Sequence, residues 1–509
     1  MRGQGAREMT AESTVTSATA GRGGAPGAPR PPAPVPALSL PGFLAAYERA
    51  HPEQVVHVER EVSCVQVVTA IVQKLAAEDR YPILVFQRPR LAHGGISRFP
   101  LVVNLYASRQ RCAEAMGSTF RDVGRDFYRK ARLERRPPVV VGRDEAPVKD
   151  IVLRGADVNL FDLPALVHHE GDPGPYLTGG FFTHYDPDSG IDNSSLHRGW
   201  IVQERALRVY PAANSDAERN LKKYEARGEP MPAAYWIGHH PVAGLGAQVR
   251  VAYPGSHLEA AGGLLGAPLR VVPSETLGDN FLVPADAEVV IEGFIEPGKR
   301  YPEGPFGEYT GYLGPQVPNP QLTVTAVTHR AGAYWHDIMV GWADTAVMGA
   351  FGMEGTLYEV VKSRVPSLKN VYLPLSGRCR FHAYLQLEDP AEGDAREAIM
   401  TALPVDRRLK HVFVFDDDVD IFDDREALFA IATRSQWNDD VMIFPGVRGV
   451  PLDPSISGRV TTKAGIDCTK PVGKVFAERL QVRADVLDGV DLAAVLGAET
   501  LQAIPPERM

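Results

Sequence analysis

Two acidic residues in a short turn-forming segment carry the clearest chemistry in this sequence. Glu303 and Glu308 enclose a Gly-Pro-Phe-Gly core, residues 304–307. Pro305 lacks an N–H and fixes φ, and both glycines reach conformations that other residues avoid, so neither a helix nor a regular strand is expected to run through the segment. A turn here could bring the two carboxylates together, where burial and mutual repulsion raise at least one pKa toward that of a proton donor.

An arginine upstream could meet this acidic turn. Arg198 follows a predicted hairpin whose turn is Asp186–Gly190, and we expect it to lie on a strand. A guanidinium is always charged and holds a carboxylate through two parallel hydrogen bonds, so it suits a substrate that arrives as an acid. The alternatives are a structural salt bridge for Arg198 and two solvated surface acids for the turn.

The acidic segment resembles the signature of the UbiD-type decarboxylases, which carry an acidic pair around Gly-Pro-Phe-Gly and a Gly-Tyr close behind, here residues 311–312. A second stretch, residues 176–198, is similar to that family's hairpin, with Asn193 and Arg198 five positions apart. Further similar segments, in the family's order, are Gly255–Glu259, Asp416–Asp420 and Lys463–Asp467. The resemblance extends from about residue 38 to 475.

The resemblance implies a function and a set of site residues. Members of this family are reversible, non-oxidative decarboxylases of aromatic, heteroaromatic or conjugated α,β-unsaturated carboxylic acids, with prenylated FMN as the electron sink. On this basis Glu308 is the proton donor, and Glu303 pairs with Arg198 to complete the catalytic set. The implied cofactor-binding residues are Asn193, Ser194, Ser195, Leu196, His197, Arg198, Ser215, Asp216 and Glu259.

Three of these residues are implied as ligands of a divalent cation that bridges to the flavin phosphate. Asn193 and Glu259 match family ligands, and their oxygen donors suit Mn²⁺ or Mg²⁺; the resemblance also allows K⁺. The third family ligand is often a histidine, whereas alignment back from Gly228 puts Asp216 there. Asp216 is either a ligand of a hard cation or an ordinary acid in the first turn of a helix.

The spacing of Asn193 and Arg198 raises a geometric question. Residues five apart on an ideal strand face opposite sides of the sheet. Both can reach the same flavin only through a bend, a bulge, or contact with opposite ends of the ligand.

Length and composition restrict the class of protein. A chain of 509 residues, 44% of them hydrophobic, is expected to fold into two or three domains. There is no long apolar run for a membrane span, and a formal charge of −9 argues against general nucleic-acid binding. The 4 cysteines are widely spaced without a C-x-x-C pair, which favours reduced thiols and a cytoplasmic location.

The pattern of elements predicts an α+β fold in successive parts. Residues 1–37 are rich in Gly, Ala and Pro and are predicted to be a disordered extension. Residues 38–135 are predicted to form an N-terminal α/β domain, and residues 136–328 a β-rich domain. The resemblance specifies the latter as a split β-barrel that binds prenylated FMN. Residues 329–475 are predicted to form a second α/β domain, which the resemblance assigns to oligomerisation.

The end of the chain and the partners complete these expectations. Residues 476–509 are predicted to be a helical tail, because apolar residues recur at helical spacing over Val490–Ile504. The implied partners are a small aromatic or unsaturated acid, a flavin prenyltransferase that supplies the cofactor, and further copies of the chain in a homodimer or larger homo-oligomer. Two other functions stay open: a hydrolase that uses the carboxylate pair, and a non-catalytic flavin-binding subunit of a larger complex.

Overall fold

The computed structural model describes residues 37–504 of the chain. The predicted disordered extension lies outside this range except for its last residue. The predicted α+β class is confirmed, because separate sheets are packed with helices along the chain. Within residues 37–504, every helix is too short or too polar to cross a lipid bilayer.

The first part of the chain alternates helices and strands, as its apolar spacing predicts. Val68 and Val72 lie four residues apart on one helix and both are buried. Ser108 accepts a hydrogen bond from the Arg111 N–H at 3.3 Å and so caps the next helix. The elements are α1 (Leu40–Ala50), β1 (Val55–Ser63), α2 (Val67–Ala76), β2 (Ile83–Arg90), β3 (Leu101–Val103), α3 (Arg109–Ala115) and α4 (Val123–Leu133).

The middle part is rich in short strands separated by Gly and Pro. Its helices are α5 (Asp216–Arg227), α6 (Pro241–Gly246) and α7 (His257–Leu265). Its strands are β4 (Val139–Val140), β5 (Ile151–Arg154), β6 (Tyr176–Leu177), β7 (Gly180–Tyr185), β8 (Asp192–Leu196), β9 (Gly199–Gln203), β10 (Ala206–Val209), β11 (Met231–Ile237), β12 (Arg270–Pro273), β13 (Leu282–Pro284), β14 (Val289–Ile295), β15 (Tyr301–Glu303), β16 (Phe306–Gly307), β17 (Leu313–Gly314), β18 (Val317–Asn319), β19 (Gln321–His329) and β20 (Trp335–His336).

The central sheet curls until its two ends come close together. Its strand order is β6-β9-β10-β19-β14-β11-β7-β8, with β5 also paired to β19. β8 therefore forms one edge and β9 lies next to the other edge, yet only His197 and Arg198 connect them. Two residues span at most about 11 Å between the flanking Cα atoms, far less than the roughly 34 Å width of this sheet laid flat. The result is a half-barrel, as predicted, with Arg198 at its seam.

A buried carboxylate fixes β8 against the start of α7. Asp192 accepts hydrogen bonds from the backbone N–H groups of His257 at 2.9 Å and Leu258 at 3.0 Å, and from the Ser256 hydroxyl. These are the unpaired donors of a helix N-terminus, where a negative charge is favoured. The contact sets the position of the neighbouring residue, Asn193, relative to α7.

The last part of the chain forms a second mixed sheet in the order β21-β22-β23-β25-β24. Its strands are β21 (Leu368–Tyr372), β22 (His382–Leu387), β23 (His411–Asp416), β24 (Val441–Arg448) and β25 (Val460–Cys468). Its helices are α8 (Ala343–Met348), α9 (Phe351–Lys362), α10 (Asp394–Ala402), α11 (Asp424–Arg434), α12 (Trp437–Asp440), α13 (Ala484–Asp488), α14 (Leu492–Leu496) and α15 (Ala498–Ala503).

The three parts are interlocked. β20 pairs with β3, so the first sheet is completed by a strand from beyond residue 328. α9 packs against α4, where a Cβ on Gly355 would lie 2.3 Å from the Gly124 carbonyl oxygen, so only glycine permits this approach. The domain limits expected from the sequence stay predictions.

The predicted helical tail is interrupted rather than continuous. It consists of α13, α14 and α15, and none of the three has a buried residue. The break between α14 and α15 falls at Gly497, whose φ of +83° leaves the helical region. Helical spacing of apolar residues therefore located the helical segment but not its interruption.

We expect Asp192→Asn to destabilise the fold by about 1–3 kcal/mol, because an amide has one acceptor oxygen and no charge to place at the start of α7. Urea unfolding monitored by circular dichroism measures this. Asp279→Asn, on an exposed side chain, is the matched control. Equal stability of the two variants would show that the Asp192 contact contributes nothing.

Candidate active site

The acidic turn has the local structure that its Gly and Pro residues predicted. β15 ends at Glu303 and β16 begins at Phe306. Between them Gly304 has φ +88°, a conformation that favours glycine. Glu308 follows directly after β16, so both acids flank the turn.

Arg198 lies in the connection between β8 and β9, and the prediction that it sits on a strand is wrong. The pairing of the preceding segment with β7 stops at Leu196, and pairing with β10 and β6 starts again at Gly199. The chain must leave one edge of the sheet and join the other in two residues. Arg198 is nevertheless held firmly, because paired strands flank it on both sides.

Arg198 links the two carboxylates directly. Its Nε donates to Glu303 Oε1 at 2.8 Å, and its Nη2 donates to Glu303 Oε2 at 2.8 Å, which makes a bidentate pair. Its Nη1 donates to Glu308 Oε1. The exposed fraction of the side chain is 8% for Arg198, 0% for Glu303 and 12% for Glu308. The structure thus brings the three predicted catalytic residues into one buried cluster.

Two further donors hold Glu303 in place. The Tyr176 hydroxyl donates to Oε1 at 3.1 Å, and Asn319 Nδ2 donates to Oε2 at 2.9 Å. Each carboxylate oxygen of Glu303 therefore accepts two hydrogen bonds, which fills its usual capacity. The sequence marked Tyr176 only as part of a motif, without a role. Nothing in the sequence marked Asn319, whose amide approaches the site from β18.

Aromatic rings cover the guanidinium of Arg198. Its Cζ lies 4.3 Å from the Tyr210 ring centroid and 5.0 Å from that of Phe306. Cations are attracted to aromatic faces, and the rings keep water from this part of the cluster. Phe306, between the two acids, thus contributes to the site as well as to the turn.

Burial shifts the pKa of Glu308 upward. Removal from water raises the pKa of the Glu308 carboxyl, the Arg198 guanidinium opposes this, the Glu303 charge adds to it, and the net shift is upward. Burial alone would lower the pKa of Arg198, but its hydrogen bonds with Glu303 and the charge of Glu308 raise it overall. The cluster therefore combines a permanent cation with a carboxyl group that holds its proton to higher pH than an exposed glutamate.

A cavity of about 1050 Å³ adjoins this cluster at His197. Its size is at the upper end of ordinary ligand sites. Of the predicted cofactor-binding residues, those on its wall are Asn193, Ser195, Leu196, His197, Ser215 and Asp216. They come from β8, from the connection after it and from the start of α5. The opposite wall comes from the last part of the chain, including Met353, Leu403 and Phe444.

Three predicted cofactor-binding residues do not line this cavity. Side chains alternate along β8, so Ser194 faces away and its Oγ lies 2.5 Å from Thr183 Oγ1 across the strand pair. Arg198 is enclosed by its two carboxylates. Glu259 lies in the first turn of α7. Because side chains alternate along a strand, the sequence alone could have shown that Ser194 faces away from the side on which Asn193 and Ser195 lie.

The residues predicted to bind a metal are chemically suitable and partly assembled. Asn193 Nδ2 donates to Asp216 Oδ2 at 3.1 Å, and the Asp192 contact holds α7, with Glu259, against β8. Two carboxylates and an amide oxygen suit a hard divalent cation. Asp216 also accepts a hydrogen bond from Arg219 at 2.7 Å, and Ser215 caps α5, so its alternative role as a first-turn acid fits equally well.

Comparison with known proteins places this geometry in a family. Models of 3-octaprenyl-4-hydroxybenzoate carboxy-lyase match residues 48–130 with its N-terminal domain, 139–343 with its Rift-related domain and 346–468 with its C-terminal domain. The chain belongs to the UbiD family. It is a carboxy-lyase, which confirms the resemblance and the enzyme class predicted from the sequence.

Two relatives of the chain are named as decarboxylases. The chain is 34% identical over 331 residues to anhydromevalonate phosphate decarboxylase of Methanothermobacter thermautotrophicus, covering 64% of this chain and 76% of that protein. It is 31% identical over 402 residues to phenolic acid decarboxylase of Sedimentibacter hydroxybenzoicus, covering 74% and 81%.

Solved structures of the UbiD class share the fold. The enzyme HmfF from Pelotomaculum thermopropionicum in complex with FMN matches with a TM-score of 0.84 and 35% identity, over 90% of this chain and 100% of that one. An evolved dimeric form of the same enzyme, in complex with prFMN, matches with a TM-score of 0.81, 34% identity and the same coverage.

We predict that Glu303→Gln lowers the pKa of Glu308. The substitution removes a neighbouring negative charge, so the positive charge of Arg198 is no longer partly neutralised by Glu303. Both changes favour the ionised form of the Glu308 carboxyl. Infrared titration of the carboxyl groups, with the Glu308→Gln spectrum subtracted to identify Glu308, measures the shift. Glu53→Gln, on an exposed residue, is the control. An unchanged or higher pKa would contradict the electrostatic account.

Proposed function

We propose that this enzyme catalyses the reversible, non-oxidative decarboxylation of an aromatic, heteroaromatic or conjugated α,β-unsaturated carboxylic acid, with prenylated FMN as cofactor. The observation that carries the proposal is Arg198 bonded to both Glu303 and Glu308 beside a large cavity. Support comes from relatives named as decarboxylases and from UbiD-class structures that hold FMN or prFMN.

Glu308 is the proton donor in this proposal. Loss of CO₂ from the substrate carboxylate leaves an electron pair on carbon, and one proton must replace the departing group. Burial raises the pKa of Glu308, so its carboxyl holds a proton to higher pH than an exposed glutamate does, as suits a proton donor. After transfer, the new carboxylate lies next to Arg198, which stabilises its charge. Carboxylation, the reverse direction, returns the proton to Glu308.

Glu303 acts by positioning Arg198. Its bidentate pair with the guanidinium, together with the bonds from Tyr176 and Asn319, fixes the cation next to Glu308. The same bonds argue against a carboxylate-pair hydrolase. In such an enzyme the second acid must activate water or attack the substrate, and Glu303 has no oxygen free to do so.

The cavity wall suggests which residues bind the cofactor and the metal. Prenylated FMN supplies, when bound, the electron sink that ordinary side chains lack. Asn193, Asp216 and Glu259 would hold Mn²⁺ or Mg²⁺ near the flavin phosphate, while Ser195 and Ser215 would contact the cofactor. K⁺ as a further ion, a flavin prenyltransferase as supplier and a homodimer or larger homo-oligomer belong to the same proposal.

We expect Glu308→Gln to retain flavin but to lose at least about 10²-fold in product formation, because an amide cannot deliver the proton. The flavin absorbance of the purified protein and product formation from a panel of unsaturated and aromatic acids are the two measurements. Glu204→Gln, on an exposed residue, should behave as the unaltered enzyme. Normal turnover by Glu308→Gln would show that Glu308 is not the proton donor. If the unaltered enzyme turned over none of the acids, a non-catalytic flavin-binding subunit would be favoured.

We further expect Glu259→Ala to lower flavin and divalent metal content together, because Glu259 would help to hold a metal that in turn would hold the flavin phosphate. Metal analysis and flavin absorbance of the purified variant test this, with Glu397→Ala in the first turn of α10 as the matched control. Asp216→Ala separates the two roles of that residue. Loss of metal from Asp216→Ala would show that Asp216 is a metal ligand, whereas full metal content would show that it is an ordinary acid in the first turn of α5.

A further inference from the structure

The cavity wall is far more basic than the chain as a whole. The protein has a formal charge of −9, yet among residues 37–504 the basic side chains on this wall outnumber the carboxylates by five to two. The basic residues are Arg250, Arg407, Arg408, Arg448 and Lys463, and the carboxylates are Asp216 and Asp406. Burial lowers the pKa of the wall histidine His197 to about 4, so it adds no positive charge near neutral pH.

Asp406 neutralises only part of this charge. It accepts hydrogen bonds from Arg408 Nε at 3.1 Å and Nη2 at 2.9 Å, and from Arg250 Nη2. Arg407 donates to the Ala213 carbonyl oxygen at 3.4 Å. Within the described part of the chain, no carboxylate lies within salt-bridge distance of Arg407 or Arg448. At least two guanidinium groups therefore face the cavity without a counter-charge.

The basic residues also act on one another. Burial, together with the positive charge of Arg408, lowers the pKa of Arg250, and the same two causes lower the pKa of the buried Arg380 behind the wall to about 10. Asp406 already joins Arg250 to Arg408, so among residues 37–504 the guanidinium groups on the wall that lack a counter-charge are those of Arg407 and Arg448. The arrangement is suited to an anion in the cavity beside these residues.

This basic wall is close to the catalytic cluster. The charge of Arg407 acts on Tyr210, whose ring lies 4.3 Å from the Arg198 guanidinium. The charge of Arg408 acts on Tyr309, the residue next to Glu308. The same wall carries Met353, Leu403 and Phe444, which are available for the apolar portion of a molecule held by the arginines.

We propose that the substrate carries, in addition to the carboxylate that leaves, a second acidic group bound by Arg407 and its basic neighbours. The second group is a phosphate or a carboxylate, the two oxyanions that a guanidinium holds through paired hydrogen bonds. This inference rests on the proposed function. In that function Asn193, Asp216 and Glu259 would hold a divalent cation near the flavin phosphate, and we assign the basic excess on the wall to the substrate.

The cofactor phosphate is the other possible source of the anion, and the experiment separates the two. Inorganic phosphate is titrated calorimetrically into the FMN-loaded protein and into the flavin-free protein. The same titrations are made with Arg407→Gln, which breaks no carboxylate pair, and with Arg364→Gln, an exposed arginine away from the cavity. Calorimetry needs no turnover, so its result is independent of whether decarboxylation is observed.

We expect saturable phosphate binding to the FMN-loaded protein, weakened about tenfold or more in Arg407→Gln and unchanged in Arg364→Gln. Binding to the flavin-free protein alone would assign the arginines to the cofactor phosphate and overturn the inference. Absence of binding to the loaded protein, or equal affinity in Arg407→Gln, would also overturn it. We also expect Arg407→Gln to contain as much flavin as the unaltered protein. Loss of flavin from this variant would count against a substrate site.

Discussion

One guanidinium shared between two carboxylates is the interaction on which the site depends. Arg198 binds Glu303 through two hydrogen bonds and Glu308 through a third, and little of the cluster reaches solvent. A single positive charge cannot fully neutralise two buried negative charges. The group with fewer partners, Glu308, is therefore the one whose neutral form is favoured, and it is the group suited to exchange a proton.

The central sheet provides the position for this interaction. Because β8 and β9 lie near opposite ends of the strand order, their short connection forces the sheet to curl and leaves a seam at Arg198. The same strand, β8, carries Asn193 and Ser195 on the cavity face. The difficulty posed by two residues five apart on one strand disappears, because Arg198 lies beyond the end of that strand.

The cavity brings together groups of different kinds from distant parts of the chain. The middle part of the chain contributes the acid pair and the oxygen donors, whereas most of the basic wall comes from the last part of the chain. This division separates proton transfer from recognition of negative charge. A substrate held at both places would be oriented as well as bound, which is how an enzyme converts binding energy into positioning of the reacting carbon.

Local features were determined by the sequence alone. Gly304 and Pro305 exclude a continuous strand, Ser215 caps α5 and Gly228 ends it, and these effects depend on residues within a few positions. The tertiary structure decided everything that joins distant positions. Arg198 meets Glu303 across 105 residues, and Arg250 meets Asp406 across 156. Such pairs depend on how the sheet curls and where the helices pack. The sequence indicated the first pair only through the family resemblance and gave no sign of the second.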